Sequence, residues 1–223
     1  MIISLKTAPR SDCFDVEVEK GIKLEDLAEK YRAEVPFRIL AAKVNNKIED
    51  LNMVLNEPCS VELLDRRTQS TNMIYQHSLV LLYLKAVRDV LGKVQVNIKN
   101  PLNKGIFTTI ELPEEISAGQ VDLIEKAMKE MVEADIPFIR KSYPREEGLK
   151  MLMEDGQHEK ARLLMRDTGR EWVKFYSLGD LRDFFYGLMV PSTGYIEYFE
   201  LRKYKNGVLV RFPHPAAPNI IPE

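Results

Sequence analysis

The sequence has only two cysteines, no long apolar run and no large excess of charge of either sign. Cys13 and Cys59 are too few for a disulfide framework and form no Cys-x-x-Cys motif, which favours a reducing, cytoplasmic setting. The apolar runs fall short of the ~18 residues that suggest a membrane span. The N-terminus also lacks the basic-then-apolar layout of a signal peptide. We therefore expect no membrane partner.

The charge balance disfavours a generic binder of polyanions. The chain has 32 Lys and Arg against 34 Asp and Glu, a net charge of −2. Residues 1–65 carry 9 basic and 13 acidic residues, whereas residues 66–223 carry 23 and 21. Neither part has the basic excess with which strong nucleic-acid binders neutralise phosphates, although a local basic patch is compatible with these counts. There is no G-x-x-x-x-G-K-[ST] segment, so this stretch has no P-loop for ATP.

The first 65 residues predict a small α+β domain. Apolar–polar alternation over 14–18 predicts a strand, and apolar residues at helical spacing over 24–31 predict a helix that ends before Pro36. Two further strands are predicted over 39–44 and 61–64. Residues 66–72 contain no apolar side chain and are predicted to be a linker. Within it, the polar residues that could cap the following helix are Ser70, Thr71 and Asn72.

Residues 73–212 predict a second, larger α+β domain. The predicted helices lie at 73–91, 118–134, from 145 onward, and 158–165. The predicted strands lie at 94–98, 106–112, 136–141, 172–176, 196–204 and 208–212. The sequence Asn206-Gly207 predicts a hairpin turn between the last two strands. Residues 213–223 contain four prolines and are predicted to be a linker.

Two stretches resemble the N-terminal half of threonyl-tRNA synthetases. Residues 41–51, with the sequence Ala-Ala-Lys-Val-Asn-Asn-Lys-Ile-Glu-Asp-Leu, resemble a TGS domain, which is a β-grasp module. Residues 190–194, Val-Pro-Ser-Thr-Gly, resemble the editing domain, as does the spacing from Tyr176 to Asp183. The resemblance implies an α+β chain with a β-grasp TGS domain over 1–65 and an editing-like domain over 73–212.

The resemblance also implies where an editing site would lie. The family builds that site from two histidines four residues apart on the long helix and from a Cys and a His near the Val-Pro-Ser-Thr-Gly segment, and a pair four apart shares one helical face. In this chain these positions hold His77, Leu81, Phe185 and Met189. Three of the four are apolar side chains that neither bind a metal nor activate water. We therefore expect no metal at this site.

Each remaining candidate has a structural interpretation beside the functional one. His77 is either a relic base or ligand contact, or a packed residue on an apolar helix. Asp183 and Lys160, which match further family positions, either contact a ligand or cap a turn and extend into solvent. The aromatic segment that follows either stacks on a nucleobase or fills the former cleft. Its candidate ligand-binding residues are Phe185, Tyr186 and Met189.

Four basic residues are candidates for contacts with RNA phosphates. Arg66 and Arg67 stand in the predicted linker, and Arg202 and Lys203 stand near the predicted hairpin. A charged linker and a solvated hairpin are the simpler interpretations of the same residues.

Three functions remain open. The domain order resembles the front of bacterial uridine or nucleoside kinase-type proteins, where a P-loop kinase domain follows. The chain would then be a non-catalytic part that binds a nucleotide or a tRNA acceptor stem, and ATP and Mg²⁺ would belong to the kinase domain alone. Alternatively, it is a freestanding trans-editing hydrolase of mischarged tRNA that relies on His77, Asp183 and Lys160. The third possibility is an RNA-binding adaptor.

Overall fold

The first part of the chain folds around a mixed five-stranded sheet. In the computed structural model, which describes residues 1–102, 105–167, 169 and 171–222, the sheet order is β2-β1-β7-β4-β5. Its two central strands, β1 and β7, run parallel and the other pairs are antiparallel. A two-stranded ribbon of β3 and β6 lies beside it. These elements are β1 (Ile2–Lys6), β2 (Phe14–Glu17), β3 (Ile22–Lys23), α1 (Leu24–Lys30), β4 (Ile39–Val44), β5 (Lys47–Glu49), β6 (Val54–Leu55) and β7 (Ser60–Asp65).

In the described residues, the second part of the chain combines four α-helices with two antiparallel sheets. One sheet has the order β13-β14-β9-β8 and the other β10-β11-β12. The helices are α2 (Gln69–Leu91), α3 (Ala118–Glu133), α4 (Arg145–Glu154) and α5 (His158–Arg166). The strands are β8 (Val96–Leu102), β9 (Gly105–Ile110), β10 (Ile139–Pro144), β11 (Trp172–Leu178), β12 (Leu181–Phe184), β13 (Glu200–Tyr204) and β14 (Gly207–Arg211).

Helix α2 is the central element of this part. Twelve of its residues are buried, and it packs against α3 on one side and the first sheet on the other. The main apolar core continues from the first sheet through α2 and α3, whereas α4 and α5 cover a separate small core on β11 and β12. Within the described ranges, none of the helices combines the length and the apolar character needed to cross a bilayer.

The mixed α+β class predicted from the sequence is confirmed, with differences at the element ends. Helix α2 begins at Gln69, because Thr68 rather than a later residue accepts a hydrogen bond from the Thr71 amide as the N-cap. The predicted linker 66–72 therefore contains a turn and the first helical residues. The strand predicted at 136–141 lies later, at β10, and the one predicted at 196–204 is shortened to β13. Strand β1 was not predicted.

The hairpin turn at β13 and β14 is shifted by one residue from its prediction. Lys205 and Asn206 form the turn, and Gly207 already pairs with Tyr204 and Thr109. A Cβ atom at Gly207 would lie 2.0 Å from the Thr108 carbonyl oxygen, so the glycine permits close approach of β9 rather than turning the chain.

The proline-rich end is packed rather than extended away from the fold. Pro213 is buried, and its carbonyl accepts a hydrogen bond from the Asn72 side chain at 3.1 Å. His214 and Ala217 form an isolated bridge just beyond it. Glu223, the last residue of this predicted linker, lies outside the described residues.

Arg66, the residue after β7, is buried between the two parts of the chain. Its side chain is 6% exposed and donates from Nη2 to Glu197 Oε2 at 2.6 Å. The guanidinium carbon lies 4.8 Å from the ring centroid of Tyr198 and 5.4 Å from that of Tyr75. A buried charge is costly unless it is paired, so the cation holds these groups together around itself.

Two further contacts cross the same junction. Arg38 pairs with Glu197 at 3.2 Å and lies 3.7 Å above the ring of Tyr195. Arg140 of β10 pairs with Asp50 of the first part at 2.7 Å. The junction thus depends on two arginines that share one carboxylate, with a separate ion pair at its other end.

We expect Glu197→Ala to destabilise the protein because it leaves Arg66 buried without its carboxylate. Breaking a buried pair costs about 3–5 kcal/mol, and since the Glu197 side chain is 36% exposed we expect about 2 kcal/mol. Urea unfolding measures this loss. The control is Glu159→Ala, which removes an exposed pair with Arg162 and should cost less than about 1 kcal/mol. Equal losses for both variants would contradict the structural importance of the junction.

Candidate functional site

His77 lies on the face of α2 that meets the segment after β12. The neighbouring Ser78 is buried; its hydroxyl donates to the Ile74 carbonyl and accepts from the Val190 amide at 3.0 Å. This bond ties α2 to the chain around residue 190. His77 itself is half-buried, and its Nδ1 atom is buried with no hydrogen-bond partner among the described residues.

The segment 185–189 turns sharply over His77. Gly187 has φ +113°, and a Cβ atom there would lie 2.8 Å from His77 Cε1. Glycine suits this position because it adopts the positive φ without strain and leaves room for the His77 ring. The Tyr176 hydroxyl stabilises the turn by donating to the Gly187 carbonyl at 3.1 Å.

Four of the candidate residues form a continuous cluster. The ring of His77 lies 6.4 Å from that of Phe185, and the Lys160 ammonium lies 5.1 Å above the Phe185 ring. Lys160 also forms a short ion pair with Asp183. The structure thus brings together residues from α2, α5 and β12, with the phenyl ring of Phe185 between the imidazole and the ion pair.

Asp183 is held mainly as a structural group. It is 2% exposed, and its Oδ1 atom accepts from the Phe184 amide at 2.7 Å while the other oxygen meets Lys160. Burial raises the pKa of the Asp183 carboxyl, and the nearby ammonium opposes that rise. The carboxylate has neither an open coordination direction nor contact with His77, which limits it as a general base.

The remaining two family positions belong to the core. Leu81 is fully buried and Met189 is 1% exposed, both within the main core. In the part of the chain that the structure describes, no group of three or more His, Cys, Asp or Glu side chains is placed to hold a metal ion. The expectation that this site binds no metal remains a prediction.

Tyr186 differs from its neighbours because it is exposed. Its side chain is 47% accessible, and its ring packs edge-on against Phe184 with centroids 4.6 Å apart. Its hydroxyl lies 3.5 Å from an oxygen of Asp167. It therefore presents an aromatic face beside the cluster, which a planar ligand could contact.

The candidate RNA contacts are divided between the interior and the surface. Arg66 is buried against Glu197, so a phosphate contact would require that ion pair to break. Arg67 is partly exposed and chelates Asp65 through Nε and Nη2. The other two, Arg202 and Lys203, lie exposed on β13. Each already contacts an acidic side chain, and Lys203 also donates to a backbone carbonyl.

The Val-Pro-Ser-Thr-Gly segment at 190–194 joins the end of α3 to the rest of the fold. The Thr193 hydroxyl donates to the Met131 carbonyl and accepts from the Ile136 amide. The Gly194 amide and the Ser192 hydroxyl both donate to Asp135. A Cβ atom at Gly194 would lie 2.3 Å from Asp135 Oδ1, so glycine is required there. These contacts give the segment a structural role, apart from the cluster around Phe185.

Fold and site together define a mixed α+β chain in which His77, Phe185, Lys160 and Asp183 form one cluster, while Leu81 and Met189 lie in the core. No protein-family profile matches the chain. Its sequence is similar to curated threonine–tRNA ligases. Threonine–tRNA ligase 1 of Bacillus subtilis (strain 168) is 32% identical over 185 residues, which is 83% of this chain and 29% of the ligase.

Other ligases give the same extent of similarity. The enzyme of Natranaerobius thermophilus is 33% identical over 181 residues (81% of this chain, 28% of the ligase), and that of Bacillus velezensis is 30% identical over 185 (83% and 29%). The chain therefore spans less than a third of the length of these relatives. About four-fifths of it is related to one region of threonine–tRNA ligases.

We expect the stability of the protein to fall as the pH falls below about 6.5, in part through His77. Burial lowers the pKa of His77 below its usual value of 6.5, opposed by its contact with the Leu188 backbone. Below that usual value the unfolded chain binds a proton that the folded chain does not, so protonation favours unfolding. The variant His77→Gln should lose this part of the pH dependence.

Urea unfolding at pH 7.5, 6.0 and 5.0 would measure the effect. The exposed His158 provides a matched control, because His158→Gln should retain the pH dependence of the wild type. If both variants show the same dependence as the wild type, the imidazole of His77 is not desolvated as described.

Proposed function

We propose that the chain is a non-catalytic binding module that holds the acceptor end of a tRNA. The proposal rests on the apolar residues Leu81, Phe185 and Met189, which the family resemblance places at three of the four polar positions of an editing site; Leu81 and Met189 are buried in the main core. The names of the relatives, threonine–tRNA ligases, support tRNA as the partner class. A site that keeps the partner but lacks the reacting groups binds without turnover.

The arrangement of the first part supports its assignment as a β-grasp TGS domain within this proposal. A helix, α1, packs through Leu24, Leu27 and Ala28 beneath a mixed sheet with two parallel central strands. The tRNA ligase similarity over most of the chain agrees with this domain order.

The geometry argues against the trans-editing alternative. A relic hydrolase would need a base, and the two remaining candidates do not cooperate. The ring of Phe185 lies between His77 and the Lys160–Asp183 pair, with each partner more than 5 Å from the ring centroid. Since a catalytic base is oriented by direct hydrogen bonds, this arrangement lacks the relay that hydrolysis requires.

An exposed aromatic ring beside a cation gives the module a means of binding. Tyr186 is 47% exposed, and the Lys160 ammonium lies on the adjacent Phe185 ring. Stacking of a terminal base on an aromatic ring contributes about 1–3 kcal/mol per base, and a neighbouring ammonium attracts the phosphate that follows it. These groups fit a single-stranded 3′ end.

The binding experiment uses an acceptor-stem minihelix of tRNA. We expect it to bind the wild type with salt-dependent affinity, and Tyr186→Ala to weaken binding about tenfold, as loss of one stacked base predicts. The control Phe14→Ala removes an exposed aromatic side chain on β2, away from the cluster, and should bind as the wild type does.

A deacylation assay with seryl-tRNA runs alongside the binding measurement. The proposal expects binding without release of serine above the rate in buffer. Turnover that is lost in His77→Gln would establish the hydrolase alternative instead. Absence of any minihelix binding by the wild type would rule out the tRNA-binding proposal.

We further propose that the module serves a longer protein of the uridine or nucleoside kinase type. The chain spans under a third of the length of its relatives, and the order of its two parts resembles the front of such kinase-type proteins. In that case a P-loop kinase domain would bind ATP and Mg²⁺, and the module would regulate or position it. Sequencing the gene beyond residue 223 tests this. A P-loop motif supports the kinase context, and an aminoacylation domain there overturns it.

A further inference from the structure

A cavity of about 400 Å³ lies toward the opposite end of α2 from His77. Arg88 in its wall follows His77 by eleven residues, which corresponds to about 16 Å along the helix axis. The other walls come from α4, from the start of α5 and from the β11–β12 hairpin. Its volume lies within the range of roughly 300–1,000 Å³ that small-molecule sites occupy.

The cations in this cavity are incompletely neutralised. Arg88 and Lys93 both face the carboxylate of Asp155, at 3.3 and 3.6 Å. These distances exceed the ~2.7–2.9 Å of a charge-assisted hydrogen bond. Arg182 makes no side-chain hydrogen bond or ion pair with another described residue. Two of the three cations of the wall therefore share the Asp155 carboxylate, and Arg182 has no ion pair among the described residues.

The other acids of the wall are engaged outside the cavity. Asp180 pairs with Lys85 at 3.1 Å, and Glu154 pairs with Lys150 at 3.8 Å. The wall thus carries three cations and three carboxylates, and Arg182 is the cation left to accept an anionic group. A phosphate suits it, because arginine donors match phosphate oxygens in a forked geometry.

Gln157 supplies a second, independent feature. Its Nε2 atom donates to Asp155 Oδ2 at 3.1 Å, and because a carboxylate only accepts, this bond fixes which end of the amide is which. The carbonyl oxygen Oε1 is then left buried without a partner among the described residues. A buried acceptor in this state requires a donor from a ligand or solvent.

An apolar floor completes the cavity. Phe175, Leu152 and Met151 line it on this side; Phe175 and Leu152 belong to the small core and are almost fully buried, whereas Met151 is partly exposed. A bare phosphate ion would leave most of the volume of the cavity empty. The three features together describe a ligand with an anionic group, a hydrogen-bond donor and a flat apolar portion.

We propose that this cavity binds a nucleoside monophosphate whose base carries an exocyclic amino group. The phosphate contacts Arg88, Lys93 and Arg182. The exocyclic amino group donates to Gln157 Oε1, and the base lies against the apolar part of the lining. Adenylate and cytidylate have this amino group, whereas inosinate and uridylate have a carbonyl in its place. The site is separate from the cluster at His77 and does not depend on the proposed function.

The experiment is calorimetric titration of the protein with adenylate, cytidylate, inosinate, uridylate, adenosine and inorganic phosphate, each separately. We expect binding of the first two and at least about tenfold weaker binding of the others, the factor expected for loss of one hydrogen bond to a buried or charged group. Failure of both adenylate and cytidylate to bind at 5 mM, roughly the upper limit of useful affinity, would overturn the proposal.

Two variants separate the phosphate contact from the base contact. Arg182→Gln should weaken adenylate binding at least about tenfold, and because its side chain has no ion pair to lose, the fold should be unaffected. Arg162→Gln, an exposed arginine of α5 outside the cavity wall, is the matched control and should bind as the wild type does. Equal binding by both variants would overturn the assignment of the phosphate.

Gln157→Leu tests the base contact. No side chain caps α5, so this change removes no helix cap. We expect the variant to retain adenylate binding at reduced affinity but to lose the preference for adenylate over inosinate. A preserved preference would overturn the role of Oε1.

A competition arm distinguishes a mononucleotide from RNA. The minihelix should not displace bound adenylate, and Tyr186→Ala should bind adenylate normally. Displacement by the minihelix would assign the cationic wall to the RNA backbone and overturn the mononucleotide proposal. Loss of minihelix binding alone would affect only the proposed function.

Discussion

The relative placement of the two parts of the chain depends on one buried cation. Arg66 directly follows the last strand of the first sheet, and its charge is met by Glu197 and by two tyrosine rings from the second part. A desolvated guanidinium has few acceptable positions, because any shift that separates it from its carboxylate leaves a charge in an apolar environment. The same residue was a candidate for RNA contact, and its burial explains how a basic residue in a polar stretch can be structural.

The sequence predicted an element correctly where the apolar spacing and capping residues within that element were enough to define it. Local spacing and capping predict the long helix α2, which ends before Gly92, and the helix α4, whose first turn is acidic. Strand β1 was missed because the exposed Ile2 stands beside the buried Ile3, which obscures the alternation, and because its parallel partner β7 is distant in sequence. The shift at Gly207 was missed for a related reason: the need for glycine comes from the Thr108 backbone on another strand.

The candidate site shows the same division between local and distant causes. Resemblance identified His77, Asp183, Lys160 and Phe185, and the structure places all four in one cluster. The resemblance gave no indication that Tyr176 stabilises the turn at Gly187, or that the missing side chain of Gly194 leaves room for Asp135. Such requirements arise from residues that are far apart in sequence and adjacent only after folding. The cavity near Arg88 has no sequence motif at all, since its groups come from four separate elements.

Under the proposed function, apolar side chains at the positions of polar site residues have consequences beyond the absence of chemistry. Leu81 and Met189 add to the main core, which removes the cost of holding desolvated polar groups without a ligand. The lone His77 that remains is buried on one side, and its pKa is lowered for that reason rather than by a catalytic partner. A binding site of this proposed kind benefits from rigidity, because less conformational entropy is lost when a ligand is held.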